Sequence, residues 1–205
     1  MALLISVALA AFLSTDGGQT PPVSAPTSDL SRFVRLGTAK LKSSAATAEI
    51  ALLVDGEAGR RAFPALAMRS GGRDHARLTT DDHAQMFVLW GHFAKLITLR
   101  SDAKLSSGDL KQLLEEALQK GFKEPPHDLP RITEALAPLY AMELAPNEEI
   151  VLRTSSSGQL VAERPGETHL LLRNPKLLRL WWTAWLGEHA PTRRTLVDHI
   201  DLLGQ

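Results

Sequence analysis

The sequence predicts an α+β fold in which an antiparallel β-sheet is covered on one face by a layer of helices. Three observations carry this prediction. Residues 149–154, 159–163 and 168–172 are short apolar runs joined by Ser155-Ser156-Ser157-Gly158 and Arg164-Pro165-Gly166-Glu167. Connections this tight impose an antiparallel meander, and the central Pro-Gly suits a type II turn. Residues 174–187 read as one nearly all-buried helix: Asn174 can accept from a first-turn N–H, Pro175 is pre-set for the first helical position, and Gly187 suits a left-handed stop. Its only strongly polar residues, Lys176, Arg179 and Thr183, share one ridge, and three of the protein's four tryptophans (Trp181, Trp182, Trp185) fill the rest, so the other elements should pack around it. Finally, the predicted order β-β-(β)-β-α-α-β-β-β-α-α segregates helices from hairpins, which places the helices on one side of the sheet.

Taken in order, residues 30–41 alternate in part and predict a strand with one solvated face. A second strand over residues 48–54 ends at Asp55-Gly56, a turn pair, so the two belong to a hairpin or a meander. Residues 63–68 and 84–90 are short apolar segments read as strands, with a Gly-rich, charged loop over residues 69–82 between them. Residues 95–100 predict another strand. After it, Ser106 and Asp109 form a capping box and Gly121 a stop for a helix whose apolar face is Leu110, Leu113, Leu114, Ala117 and Leu118, with Glu116 and Lys120 paired on its wet side. Pro138 interrupts the helical region 131–144, predicting a kink or two short helices. A polar link at residues 189–192 and an amphipathic tail complete the chain.

The composition is that of one globular domain: 205 residues, 44% hydrophobic and 22% charged. Lys plus Arg and Asp plus Glu number 23 each, so no whole-protein field draws in nucleic acid, and the arginines near residues 60–77 have only Phe63 for stacking. The chain has no cysteine, which excludes disulfides, thiolate metal sites and cysteine nucleophiles. Residues 2–13 form an uncharged apolar run, too short to span a bilayer but suited to an export signal, and residues 14–29 read as a flexible lead-in. The expected organisation is therefore an exported, periplasmic protein with an export signal and lead-in over residues 1–29, a domain over residues 30–205, and no stable membrane span in the mature chain.

Four stretches resemble the chalcone isomerase-like family, in particular its short bacterial members. These are Leu36-Gly37-Thr38-Ala39-Lys40-Leu41-Lys42, Ile97-Thr98-Leu99-Arg100 through Gly121, Glu148-Glu149-Ile150-Val151-Leu152 through Gly158, and Asn174-Pro175 through Trp185-Leu186-Gly187 with the terminal Leu202-Leu203-Gly204. The resemblance implies an open-faced sandwich with a cleft between sheet and helices, which in the plant enzymes holds a flavonoid and in relatives a fatty acid. It also implies that Lys40 stands where active isomerases carry a strand arginine, and Glu49 where bacterial relatives often carry a tyrosine. An ammonium loses the planar fork of a guanidinium, and the protein's one tyrosine, Tyr140, lies in a helical region.

The expected ligand-binding residues are Lys40, Lys42, Glu49 and Arg100, whose cations would meet an acidic head group while apolar neighbours hold its tail. Glu49 is also placed to neutralise Lys40 across the hairpin. No catalytic residue, metal or cofactor is assigned: His75, Asp81, Asp82 and His83 read as solvated loop charge, and His189 and His199 as surface residues. The first reading is a non-catalytic protein binding an apolar or amphipathic carboxylate, with a fatty acid or a phenolic as ligand. The alternatives are an intramolecular lyase acting on a chalcone-like phenolic and a structural or partner-binding envelope protein.

Overall fold

The computed structural model describes residues 30–79, 82–154 and 158–205. The expected export run and lead-in, Asp81 and the turn residues 155–157 lie outside the described residues. Among those described, six strands form one sheet in the order β1-β2-β3-β4-β5-β6, each antiparallel to its neighbour. They are β1 (Phe33–Lys42), β2 (Thr47–Asp55), β3 (Lys95–Arg100), β4 (Glu149–Thr154), β5 (Leu160–Arg164) and β6 (Glu167–Leu172). Period-two alternation sends Ala39, Leu41, Ala48, Ile50, Leu52, Val54, Ile97, Leu99, Ile150 and Leu152 into the main core under the helices. The other face carries a smaller cluster of Ala51, Leu53 and Leu96, with Leu30, Phe33 and Val151 packed against it. The open-faced sandwich is therefore as expected.

Two predicted strands are helices. Residues 63–68 belong to α1 (Gly56–Arg69) and residues 84–90 to α3 (His83–Trp90). In α1 the buried residues Gly59, Phe63, Leu66 and Ala67 follow helical spacing. Pro64, a residue type that ordinarily breaks a helix, is carried inside this one. Asp55-Gly56 is no turn: Asp55 is the N-cap of α1, its Oδ1 accepting from the Ala58 N–H at 2.9 Å. A short helix α2 (His75–Thr79) occupies part of the expected loop.

The second half follows its local signals closely. Helix α4 (Ser107–Lys120) starts with a closed Ser106–Asp109 capping box. The proline-interrupted region splits into α5 (Leu129–Ala135) and α6 (Ala137–Tyr140), with Pro138 in the first turn of α6 where its missing N–H costs nothing. Helix α7 (Pro175–Leu186) buries Trp181, Trp182 and Trp185 at 0, 3 and 1% exposure. Its stop differs from expectation, because Gly187 has φ −68°. Glycine is needed there for space, since a Cβ would stand 2.5 Å from the Thr183 carbonyl oxygen.

Lys95 is buried at 6% exposure under the helices. Its Nζ donates to the carbonyls of Val88 (2.6 Å), Leu89 (3.1 Å) and Gly91 (3.2 Å), capping the C-terminal end of α3 where partial negative charge gathers. The rings of Phe93 and Trp182 flank it at 5.6 and 5.5 Å. Burial still pulls the amine down to about 8.

Candidate functional site

The residues singled out from the sequence meet at one end of the sheet. Lys40 pairs with Glu49, Glu49 with Arg100 and Arg100 with Glu149, a row of alternating charge across β1 to β4. Because Ala39, Leu41 and Ala48 point under the helices, alternation puts Lys40, Lys42, Glu49 and Arg100 on the opposite face. The register expected for Lys40 and Glu49 is present, but no ion pair closes between them. Lys40 and Lys42 stand about 7 Å apart along the strand, both exposed, with no carboxylate partner among the described residues.

What connects this face to the helix layer is the free edge of β1. A recess of about 540 Å³ runs along it. Ala39, Leu41, Ala117, Trp185 and Pro191 give it an apolar floor, while Lys40, Lys42, Glu49 and Lys120 stand at its rim. Two glycines set its ends. At Gly37 a Cβ would lie 2.0 Å from the Thr195 carbonyl oxygen, so the C-terminal tail presses directly on β1. At Gly121 it would lie 2.3 Å from the Ala184 carbonyl oxygen, so α4 ends against the backbone of α7. Any larger residue would pry these walls apart.

The rim is held unevenly. Lys120 is tied down, its Nζ donating to Glu116 at 3.1 Å and to the Lys42 carbonyl at 3.4 Å. The Gln112 amide and then the Lys120 ammonium keep the Glu116 carboxyl below the usual carboxylate range. Thr192 donates through Oγ1 to the Trp185 carbonyl at 3.0 Å, fixing the link against α7. The Trp185 indole Nε1 is buried without a hydrogen-bond partner.

Arg100 does not reach this recess. It lines a second one, of about 650 Å³, between the β1–β2 loop and the β3–α4 connection, and its Nη2 donates to Asn147 Oδ1 at 2.9 Å. That space is walled by Ser43, Ser44, Thr47, Ser101, Asp102 and Lys104 together with Ala45, Ala46, Ala48, Ala103 and Leu105, so its lining is the more polar of the two. Only Lys40 and Glu49 of the expected set line both recesses.

Two of the other candidates are engaged elsewhere. His75 sits 3.7 Å from both Asp198 and Asp201, and Asp82 pairs with Arg193. Tyr140 is buried in α6, and desolvation together with the Glu115 charge raises its phenol above the ordinary value. The sequence reading missed Lys120, Trp185 and Pro191 as recess residues. Lys120 had been accounted for by its i, i+4 partner and Trp185 by the core, and nothing local indicates that the tail returns to β1.

No family model matches the chain, and no curated protein is similar to it in sequence. A solved structure is similar: a fatty-acid binding protein of Arabidopsis thaliana, with TM-score 0.61 and 15% identity, covering 88% of this chain and 94% of that one. At this identity the likeness is one of fold, and it agrees with the strand order and the single helix layer. The chain has the chalcone isomerase-like fold.

Proposed function

We propose that this protein is a non-catalytic binding module that holds an amphipathic carboxylate in the β1-edge recess. The observation that carries the reading is the placing of two ammonium groups that close no ion pair, Lys40 and Lys42, beside an apolar floor closed by Trp185. A hydrocarbon body gains by leaving water on that floor, at roughly 25 cal/mol per Å² buried, while the head group gains charge-assisted hydrogen bonds at the rim. The similar Arabidopsis protein is named for fatty-acid binding, which supports a long-chain carboxylate over a phenolic. The one tyrosine that phenol chemistry would call on is buried in α6 and lines neither recess.

The test is isothermal titration of the full chain with a saturated fatty acid below its micelle concentration, repeated for Lys40→Ala/Lys42→Ala. Binding at unit stoichiometry, weakened about ten-fold or more in the double variant and further by salt, is the expected result. No heat of binding, or affinity indifferent to both lysines, would remove the reading.

A further inference from the structure

The recess has a second kind of polar group, supplied by the main chain. In the β1–β2 hairpin the Ser43 N–H donates to the Ala46 carbonyl at 2.9 Å, so Ser43 turns its main-chain groups towards β2. In an antiparallel pair residues alternate in this respect, each sending its N–H and C=O to one side. Leu41 and Ala39 therefore also bond to β2, and Lys42, Lys40 and Thr38 direct theirs out of the sheet. Two observations agree with that parity: the Lys42 carbonyl accepts from Lys120 Nζ on α4, and beyond the irregularity at residues 35–37 the Leu36 carbonyl accepts from the His199 N–H at 2.7 Å.

Between those two anchored carbonyls lie the N–H and C=O groups of Thr38 and Lys40, with no partner among the described residues. Both residues line the recess. An edge strand in this state is a template for one more extended residue. A plain fatty acid offers it nothing below the head group, because methylenes neither donate nor accept.

Resting on the binding reading above, we infer that the ligand class is an N-acyl amino acid rather than a simple fatty acid. In an extended amino-acid residue the N–H and the carboxyl oxygen point to the same side. The amide N–H would donate to the Thr38 carbonyl, the ligand running parallel to β1. The carboxylate would accept from the Lys40 N–H and lie between the Lys40 and Lys42 ammonium groups. The acyl chain would continue over Ala39, Leu41, Ala117 and Trp185. All three parts of the ligand then match features that the recess presents side by side.

Three probes of equal chain length test this on the full chain by calorimetry: N-dodecanoylglycine, the dodecanoyl ester of glycolate, and pentadecanoate. The ester keeps the shape and the carboxylate but has oxygen in place of the amide N–H. The expected result is that the glycine conjugate binds about five- to ten-fold more tightly than either of the others, the ordinary worth of one amide hydrogen bond. Lys40→Ala keeps the main-chain N–H, whereas Lys40→Pro removes it from an edge position that no ladder bond uses. The proline variant, its fold checked by circular dichroism, should therefore bind the glycine conjugate a further several-fold more weakly than the alanine variant. Equal affinities for the three probes, or equal losses in the two variants, would overturn the edge pairing while leaving carboxylate binding intact. Failure of all three probes to bind would overturn the binding reading itself.

Discussion

Replacing Lys95 with methionine tests how the helix layer is seated on the sheet. The wild-type amine titrates near 8 in the fold against 10.5 in the unfolded chain. Below pH 8 both states carry the proton, and the folded state bears the cost of a buried ammonium. Between pH 8 and 10.5 the unfolded chain binds more protons than the folded one, so stability rises with pH. The interval 10.5 − 8 = 2.5 pH units, at about 1.4 kcal/mol per unit, corresponds to roughly 3 kcal/mol gained across the window. The neutral amine keeps donating to the Val88, Leu89 and Gly91 carbonyls, whereas methionine leaves those acceptors bare at a cost of about 1–3 kcal/mol. Lys95→Met should therefore be close to neutral at pH 7 and clearly destabilising at pH 10. Urea unfolding of both proteins from pH 7 to 10.5 measures this. Tyr140, whose raised value makes stability fall above pH 10, is present in both and cancels in the difference. A difference that stays flat across the range would refute the burial argument and leave Lys95 as an ordinary charged cap.

Three further substitutions have expected outcomes. Glu163, 7% exposed and paired with Arg153 on the face away from the helices, should cost about 3 kcal/mol when changed to alanine, because a cation is left behind partly buried. Glu57→Ala, which breaks the exposed pair with Arg61, should cost well under about 1 kcal/mol in the same urea titrations. Gly121→Ala should lower stability by about 1–3 kcal/mol and weaken ligand binding with it, since the added Cβ meets Ala184 backbone atoms at 2.3 and 2.6 Å. Binding that survives Gly121→Ala unchanged would mean that the α4–α7 contact does not set the recess.

Much of the fold was legible because its signals are local. The capping box at Ser106 and Asp109, the Asn174-Pro175 start and the Pro165-Gly166 turn, where φ at Gly166 is +79°, all act within four residues. The meander from β4 to β6 needs nothing else. The misread elements, α1 and α3, are those in which local and tertiary signals disagree. Pro64 and the Asp55-Gly56 pair both argue for breaks, yet the stripe from Gly59 to Ala67 is buried against the core and the helix runs through. Packing outweighs a local propensity whose cost is only a few kcal/mol.

The candidate residues came from the resemblance and not from geometry. Lys40 and Glu49 stand where relatives carry an arginine and a tyrosine, Lys42 lies on the same strand as Lys40, and all three line one recess. Their side chains, however, leave the sheet on the face away from the helices, so a ligand lying wholly between sheet and helices could not touch them. The edge resolves this conflict. At the last strand of a sheet the two faces and the main chain are exposed together, and a ligand there can rest an apolar body on helix-side residues and still meet open-face lysines. That arrangement depends on the tail returning to β1 through Gly37, a contact between residues almost 160 positions apart, and on α4 stopping at Gly121. Neither long-range contact has a local sequence signal beyond the glycine that permits it, which is why the recess that Lys40 and Lys42 both line was not legible in the sequence.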